Sequence, residues 1–181
     1  IPESVTSIGS EVFSECDNLT SVTIPGSVTS IDFGSFEYCD NLCSVTIEEG
    51  VTGIGERAFG CCDKLSSITL PQSLTYIDDA AFATCYSLDS ITIPANVTSF
   101  GVLVFAECTG LKTITFEGNG CKLHENFFQN VHATAYYPAG NPTWTESVMQ
   151  NYGGTITWVA YTPEPEPTEP EPTEPEPTEP E

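Results

Sequence analysis

The chain has 181 residues and a formal net charge of −22, from 26 acidic and four basic side chains. Nothing in it can make the basic stripe that nucleic acid or an anionic membrane surface requires. No run approaches the roughly 20 apolar residues of a transmembrane helix, so no membrane insertion is expected.

Along the chain, Phe13, Phe36, Phe59, Phe82, Phe105 and Phe128 recur every 23 residues. A period of this length marks a solenoid, in which each repeat is one structural unit stacked on the last. Other apolar columns keep the same register: Ile1, Ile24, Ile47, Leu70 and Ile93; Ile8, Ile31, Ile54 and Ile77; Leu19, Leu42, Leu65, Leu88 and Leu111. Five units are therefore expected over residues 1–115. Each carries a segment such as Leu19–Ile24, Leu65–Leu70 or Leu88–Ile93, whose L-x-x-V-x-I alternation is that of a strand with one face buried. Strands of successive units should pair in parallel at roughly 4.8 Å. A second extended stretch is expected at Val5–Ile8. Between the two, Ser10–Cys16 reads as a short helical turn with Val12, Phe13 and Cys16 facing inward. Pro2, Pro25, Pro71 and Pro94 end the preceding strand, because proline cannot donate to a ladder. One unit cannot bury its apolar side chains alone. The chain starts on the first position of a unit, so further units are expected upstream.

The run Ile1-Pro2-Glu3-Ser4-Val5-Thr6-Ser7-Ile8-Gly9, followed by Phe13, Cys16 and Asn18–Pro25, resembles the BspA-type (Treponema-type) leucine-rich repeat. The resemblance covers residues 1 to about 116. It implies a surface or secreted protein of bacteria from mouth or gut, adhering to host matrix proteins or to other cells. Ala133–Pro138, Thr143–Thr145 and Tyr152–Trp158 resemble the cap that closes such arrays.

Residues 116–161 read as a degenerate repeat and C-terminal cap. Gly120 and Thr134 stand where the register asks for Val and Leu. Val131, Ala133, Ala135 and Tyr137 alternate like a strand. Thr143–Glu146 reads as a capping box opening a short helix to about Asn151. Thr155–Tyr161 reads as a last strand, and Trp144 and Trp158 are expected to seal the core. Residues 162–181 hold only Pro, Glu and Thr. That segment is expected to be a disordered, extended linker.

Of the eight cysteines, Cys16, Cys39, Cys62, Cys85 and Cys108 share one inward repeat position and are expected to be free, buried thiols. Cys43 should face outward, and Cys61 should be exposed. No Cys/His spacing suits zinc, so neither metal nor cofactor is expected. The two histidines, His124 and His132, belong to no catalytic motif, and no nucleophile elbow or phosphate loop is present. The Asp78-Asp79 pair occurs in one repeat alone and reads as a turn. An enzyme is not expected.

The regular polar feature is hydroxyl. Thr23, Thr46, Thr69, Thr92 and Thr115 form one line on the strand face, and Ser21, Ser44, Ser67, Ser90 and Thr113 a parallel one. Thr6, Thr29, Thr52, Thr75 and Thr98 form a third line on another side. The sequence thus points to an α/β repeat solenoid, a leucine-rich repeat array of parallel strands with a cap and a disordered tail. It is read as a monomeric, non-enzymatic, secreted or surface module. Its expected partners are a host matrix protein, another surface protein or a glycan. The contact surface would be the concave strand face lined by Thr23, Ser44, Thr46, Ser67, Thr69, Ser90, Thr92, Thr113 and Thr115. A structural spacer that displays another domain is the alternative.

Overall fold

Alternating apolar positions make strands wherever one face can be buried, and they do so twice in each repeat. The computed structural model describes residues 1–163, and the linker expected at 162–181 lies outside them from residue 164 onward. Eleven strands follow in chain order among the described residues: β1 Ser21–Ile24, β2 Ser30–Ile31, β3 Ser44–Ile47, β4 Gly53–Ile54, β5 Ser67–Thr69, β6 Tyr76–Ile77, β7 Ser90–Ile93, β8 Ser99–Phe100, β9 Thr113–Phe116, β10 His132–Pro138 and β11 Thr155–Tyr161. All pairings are parallel. The longer strands form two sheets, β1-β3-β5 and β7-β9-β10-β11. The short strands form a third, β2-β4-β6-β8. Ile8 extends it by an isolated bridge to Ile31.

The register follows the 23-residue period. Val22 lies beside Val45 and Val45 beside Ile68, Ile31 beside Ile54 and Ile54 beside Ile77. Between the sheets lies one continuous core. Phe13, Phe36, Phe59, Phe82 and Phe105 stack with ring centroids 5.1 to 5.6 Å apart and planes within 13° of parallel. Beside them runs the thiol column. Cys39, Cys62, Cys85 and Cys108 are buried, and each S–H donates to the carbonyl of Phe13, Phe36, Phe59 or Phe82 respectively, at 3.0 to 3.2 Å. All eight cysteines are free; Cys43 is exposed, and Cys16, Cys61 and Cys121 are half-buried.

The helical component expected of an α/β repeat does not form. No helix occurs among the described residues, neither at Ser10–Cys16 and its equivalents nor at 143–151. Alternate backbone N–H groups of the turn bond across repeats, and those between them close local turns such as Gly60 N–H to the Arg57 carbonyl. Phe13, Phe36, Phe59 and Phe82 donate to the carbonyls of Ser35, Ala58, Ala81 and Val104, at 2.8 to 3.0 Å. Two residues per turn take the left-handed conformation to aim these bonds. One column is Glu11, Gly34, Arg57, Ala80 and Leu103, and the other is Glu15, Tyr38, Cys61, Thr84 and Glu107. A left-handed residue every fourth position forbids an α-helix. Val12 also departs from expectation. It is 57% exposed, whereas Ser35, Ala58, Ala81 and Val104 at its position are buried. Those residues tuck against the preceding repeat, as Ser35 does by donating its hydroxyl to the Gly9 carbonyl. Among the described residues no repeat precedes Val12.

The cap follows a different step. Thr134 pairs with Thr113, so β10 arrives two residues early against the period. Trp144 is buried and donates its indole N–H to the Gly118 carbonyl at 3.1 Å; Trp158 is half-buried and donates to the Gln150 carbonyl at 3.2 Å. Their rings pack on each other and on Phe116, which closes that end of the core.

Candidate functional site: the long-strand face

On the long strands of the repeats the apolar residues point to the core, and the residues between them point out. The expected hydroxyl lines are there, with one interruption. Thr23, Thr46 and Thr69 sit side by side, as do Ser21, Ser44 and Ser67. Thr92 adjoins Thr115, and Ser90 adjoins Thr113. Between Thr69 and Thr92 no ladder is formed, so the surface is two panels rather than one unbroken lattice. Pro94 removes one bond across the gap, although Pro71 stands at the same position and β3 and β5 still pair. In neighbouring repeats Glu48 and Glu117 donate backbone N–H groups to Ile24 and Ile93. Pro94 occupies the same position in its repeat and has nothing to donate.

The face is longer than the sequence lines. Thr134 and Thr157 continue the Ser90–Thr113 line, and Tyr136 lies beside Thr115. The alternation Val131, Ala133, Ala135, Tyr137 contained that signal, since the residues between must face out. The 23-residue register hid it, because it put Thr134 at an inward position. His132 lies exposed on β10, and His124 is half-buried in the turn before it.

What distinguishes this face is how its hydroxyls are used. Thr52 and Thr75, of the third threonine line, donate to the carbonyls of Thr29 and Thr52, at 3.0 and 2.9 Å. Ser27 and Ser73 likewise donate to the carbonyls of Val5 and Val51. By contrast, Thr23, Ser44, Thr46, Ser67, Thr69, Ser90, Thr92, Thr113 and Thr115 have no side-chain hydrogen bond among the described residues. Charge on the face is low, and Asp89 and Lys112 neutralise each other as an ion pair. Asp78 and Asp79 serve a turn, as expected: Asp79 accepts from the Val102 N–H at 2.7 Å. Among the described residues no cluster of three His, Cys, Asp or Glu side chains is placed to hold a metal ion.

The polar end of the strands carries two further residues. Gln72 donates its amide to Glu117 at 2.9 Å, spanning the repeat between them over Pro94 and Ala95. Nearby, the Tyr161 phenol donates to the Phe116 carbonyl. Burial, and secondarily the Glu117 carboxylate, push that phenol above its ordinary pKa.

Several solved structures are similar to this chain. A leucine-rich repeat protein of T. pallidum is 23% identical and superposes with a TM-score of 0.65, over 85% of this chain and 74% of that one. The pneumococcal vaccine antigen PcpA is 22% identical with a TM-score of 0.58, over 78% of this chain. This chain spans only 42% of that antigen. A leucine-rich repeat protein from Bacteroides capillosus is 32% identical over 56% of this chain, with a TM-score of 0.49. No curated protein matches. The family described as BspA type leucine rich repeat region matches residues 4–134 in six copies. The chain belongs to the BspA type leucine-rich repeat family.

Proposed function

We propose that this chain is a non-enzymatic binding module of a bacterial surface or secreted protein, contacting a protein or glycan through its long-strand face. One observation carries the reading. Among the described residues Thr23, Thr46, Thr69, Thr92 and Thr115 and the serine line beside them have no side-chain hydrogen-bond partner, whereas Thr52 and Thr75 of the third threonine line donate to the preceding repeat's carbonyls. A hydroxyl can donate and accept, and one that is free of the chain is available to either kind of ligand. Few charges need desolvation there. The family match points to a repeat family and to no catalytic one. No helix of the described residues is long and apolar enough to cross a membrane.

Single contacts on such a face are weak, and useful adhesion comes from many copies on one cell. The test is a panel of host matrix proteins and glycans. Thr46→Arg with Thr69→Arg adds two bulky charges outside the core, so folding survives and binding falls by about tenfold or more. Thr29→Arg with Thr52→Arg, on the other line, leaves binding within about twofold once folding is checked by circular dichroism. A wild-type chain that binds nothing on the panel would leave the spacer role instead.

A further inference from the structure

Among the described residues, β5 and β7 are the one pair of successive long strands left unjoined, although β6 and β8 of the same two repeats are linked in order on the other sheet. The break opens a cleft of about 290 Å³ in the long-strand face. Leu70 and Pro94 give it apolar wall, Thr69 and Thr92 give it a hydroxyl rim, and Gln72 and Glu117 stand at one end. We propose that this cleft receives an arginine or lysine side chain presented by a partner protein. The proposal rests on the long-strand face being the binding surface, and it names the partner as a protein with an exposed basic residue.

Three features select that occupant. First, the cleft grades from aliphatic wall to carboxylate, which suits a side chain with an apolar stem and a charged head. Second, its charged end offers free acceptors. Glu117 takes one N–H of the Gln72 side-chain amide on one oxygen, and its other oxygen and the Gln72 side-chain amide oxygen have no donor among the described residues. Two adjacent acceptors match the fork of a guanidinium. Third, the negative charge is uncompensated. The ion pairs of the described residues involve Arg57 and Lys112, and neither reaches Glu117. Eighteen acidic side chains against four basic ones over residues 1–161 give a field that draws cations in. No aromatic ring lines the cleft for a sugar to stack upon. The open strand edges add backbone N–H and C=O groups that an extended partner segment can meet.

The experiment is an amide NMR titration with Nα-acetyl-arginine methylamide, and separately with its citrulline analogue, which keeps the shape and removes the charge. The arginine probe shifts the Leu70, Ser90, Thr92 and Glu117 amides and the Gln72 side-chain amide, and citrulline does not. Glu117→Gln keeps the fold, because the Glu117 backbone bond to Ile93 is untouched, and it weakens the arginine probe by about tenfold. Equal shifts with citrulline overturn the assignment. So do arginine shifts scattered over the acidic surface, or an unchanged affinity in Glu117→Gln. A partner that binds the strand face yet ignores both Glu117→Gln and competing arginine amide also overturns it, while leaving the strand-face reading intact. A chain that takes the arginine probe but finds no partner on the matrix and glycan panel does the opposite: the cleft chemistry stands and the adhesive reading falls.

Discussion

Each thiol of the inner column fills a small apolar site and also satisfies a carbonyl of the phenylalanine stack. Serine could make the bond, and valine could fill the space, but cysteine does both. Burial raises the pKa of Cys39 to about 11 and pushes Cys62 up further. The neighbouring Cys108 thiol, and burial, raise Cys85 as well. The nucleophile in alkylation is the thiolate, so these groups are protected twice, by access and by ionisation. Mild maleimide treatment of the native chain should therefore modify Cys43, whereas Cys39, Cys62, Cys85 and Cys108 react only after unfolding. Peptide mass spectrometry reads this directly, and a Cys39–Cys62 disulfide or rapid native labelling of Cys85 would refute it. Glycine matters at this scale where chains approach closely. A Cβ on Gly26 would overlap the carbonyl oxygen of Glu49 in the next repeat.

The elements of a solenoid draw stability from both neighbours, so position along the stack decides what a mutation costs. Phe59 is fully buried, with Phe36 stacked on one side and Phe82 on the other. Phe13 is half-buried and stacks on Phe36 alone among the described residues. Phe59→Ala should cost about 3–5 kcal/mol, and Phe13→Ala clearly less. Equal losses in urea melts would contradict the stacking. The turn that carries these rings shows where sequence reasoning stopped. Val12, Phe13 and Cys16 are spaced as the inward face of a helix would be. Yet Phe13 donates its N–H to Ser35 of the next repeat, and Glu11 and Glu15 adopt left-handed backbone to permit such bonds. Those partners lie a full period away in the chain, which a local pattern does not reveal. The strands, by contrast, were legible, because alternation at Leu19–Ile24 and its copies is itself local.

At the scale of the whole molecule, the period of six phenylalanines was enough to read the solenoid, since only stacked repeats keep one side chain in one place. The surface was legible in part. Thr23, Thr46 and Thr69 align as their spacing requires, but the break before Thr92 was not visible. Pro25, Pro71 and Pro94 look alike in sequence, and the ladder opens only between β5, which Pro71 follows, and β7, which Pro94 follows, among the described residues. The two-residue early step into β10 also hid Thr134, Tyr136 and Thr157, which the backbone pairing adds to the face. The functional reading depends on one distinction, between hydroxyls the fold uses and hydroxyls it leaves free. Urea melts of threonine-to-valine variants measure it most directly, because valine keeps the β-branched shape and removes only the hydroxyl. Thr46→Val, Thr69→Val and Thr92→Val should each leave stability within about 0.5 kcal/mol of wild type. Thr52→Val and Thr75→Val, which lose their bonds to the preceding repeat, should each cost about 1 kcal/mol. Losses on the strand face as large as those on the Thr52 line would show that its hydroxyls serve the fold, and the face would then have no claim to be a binding surface.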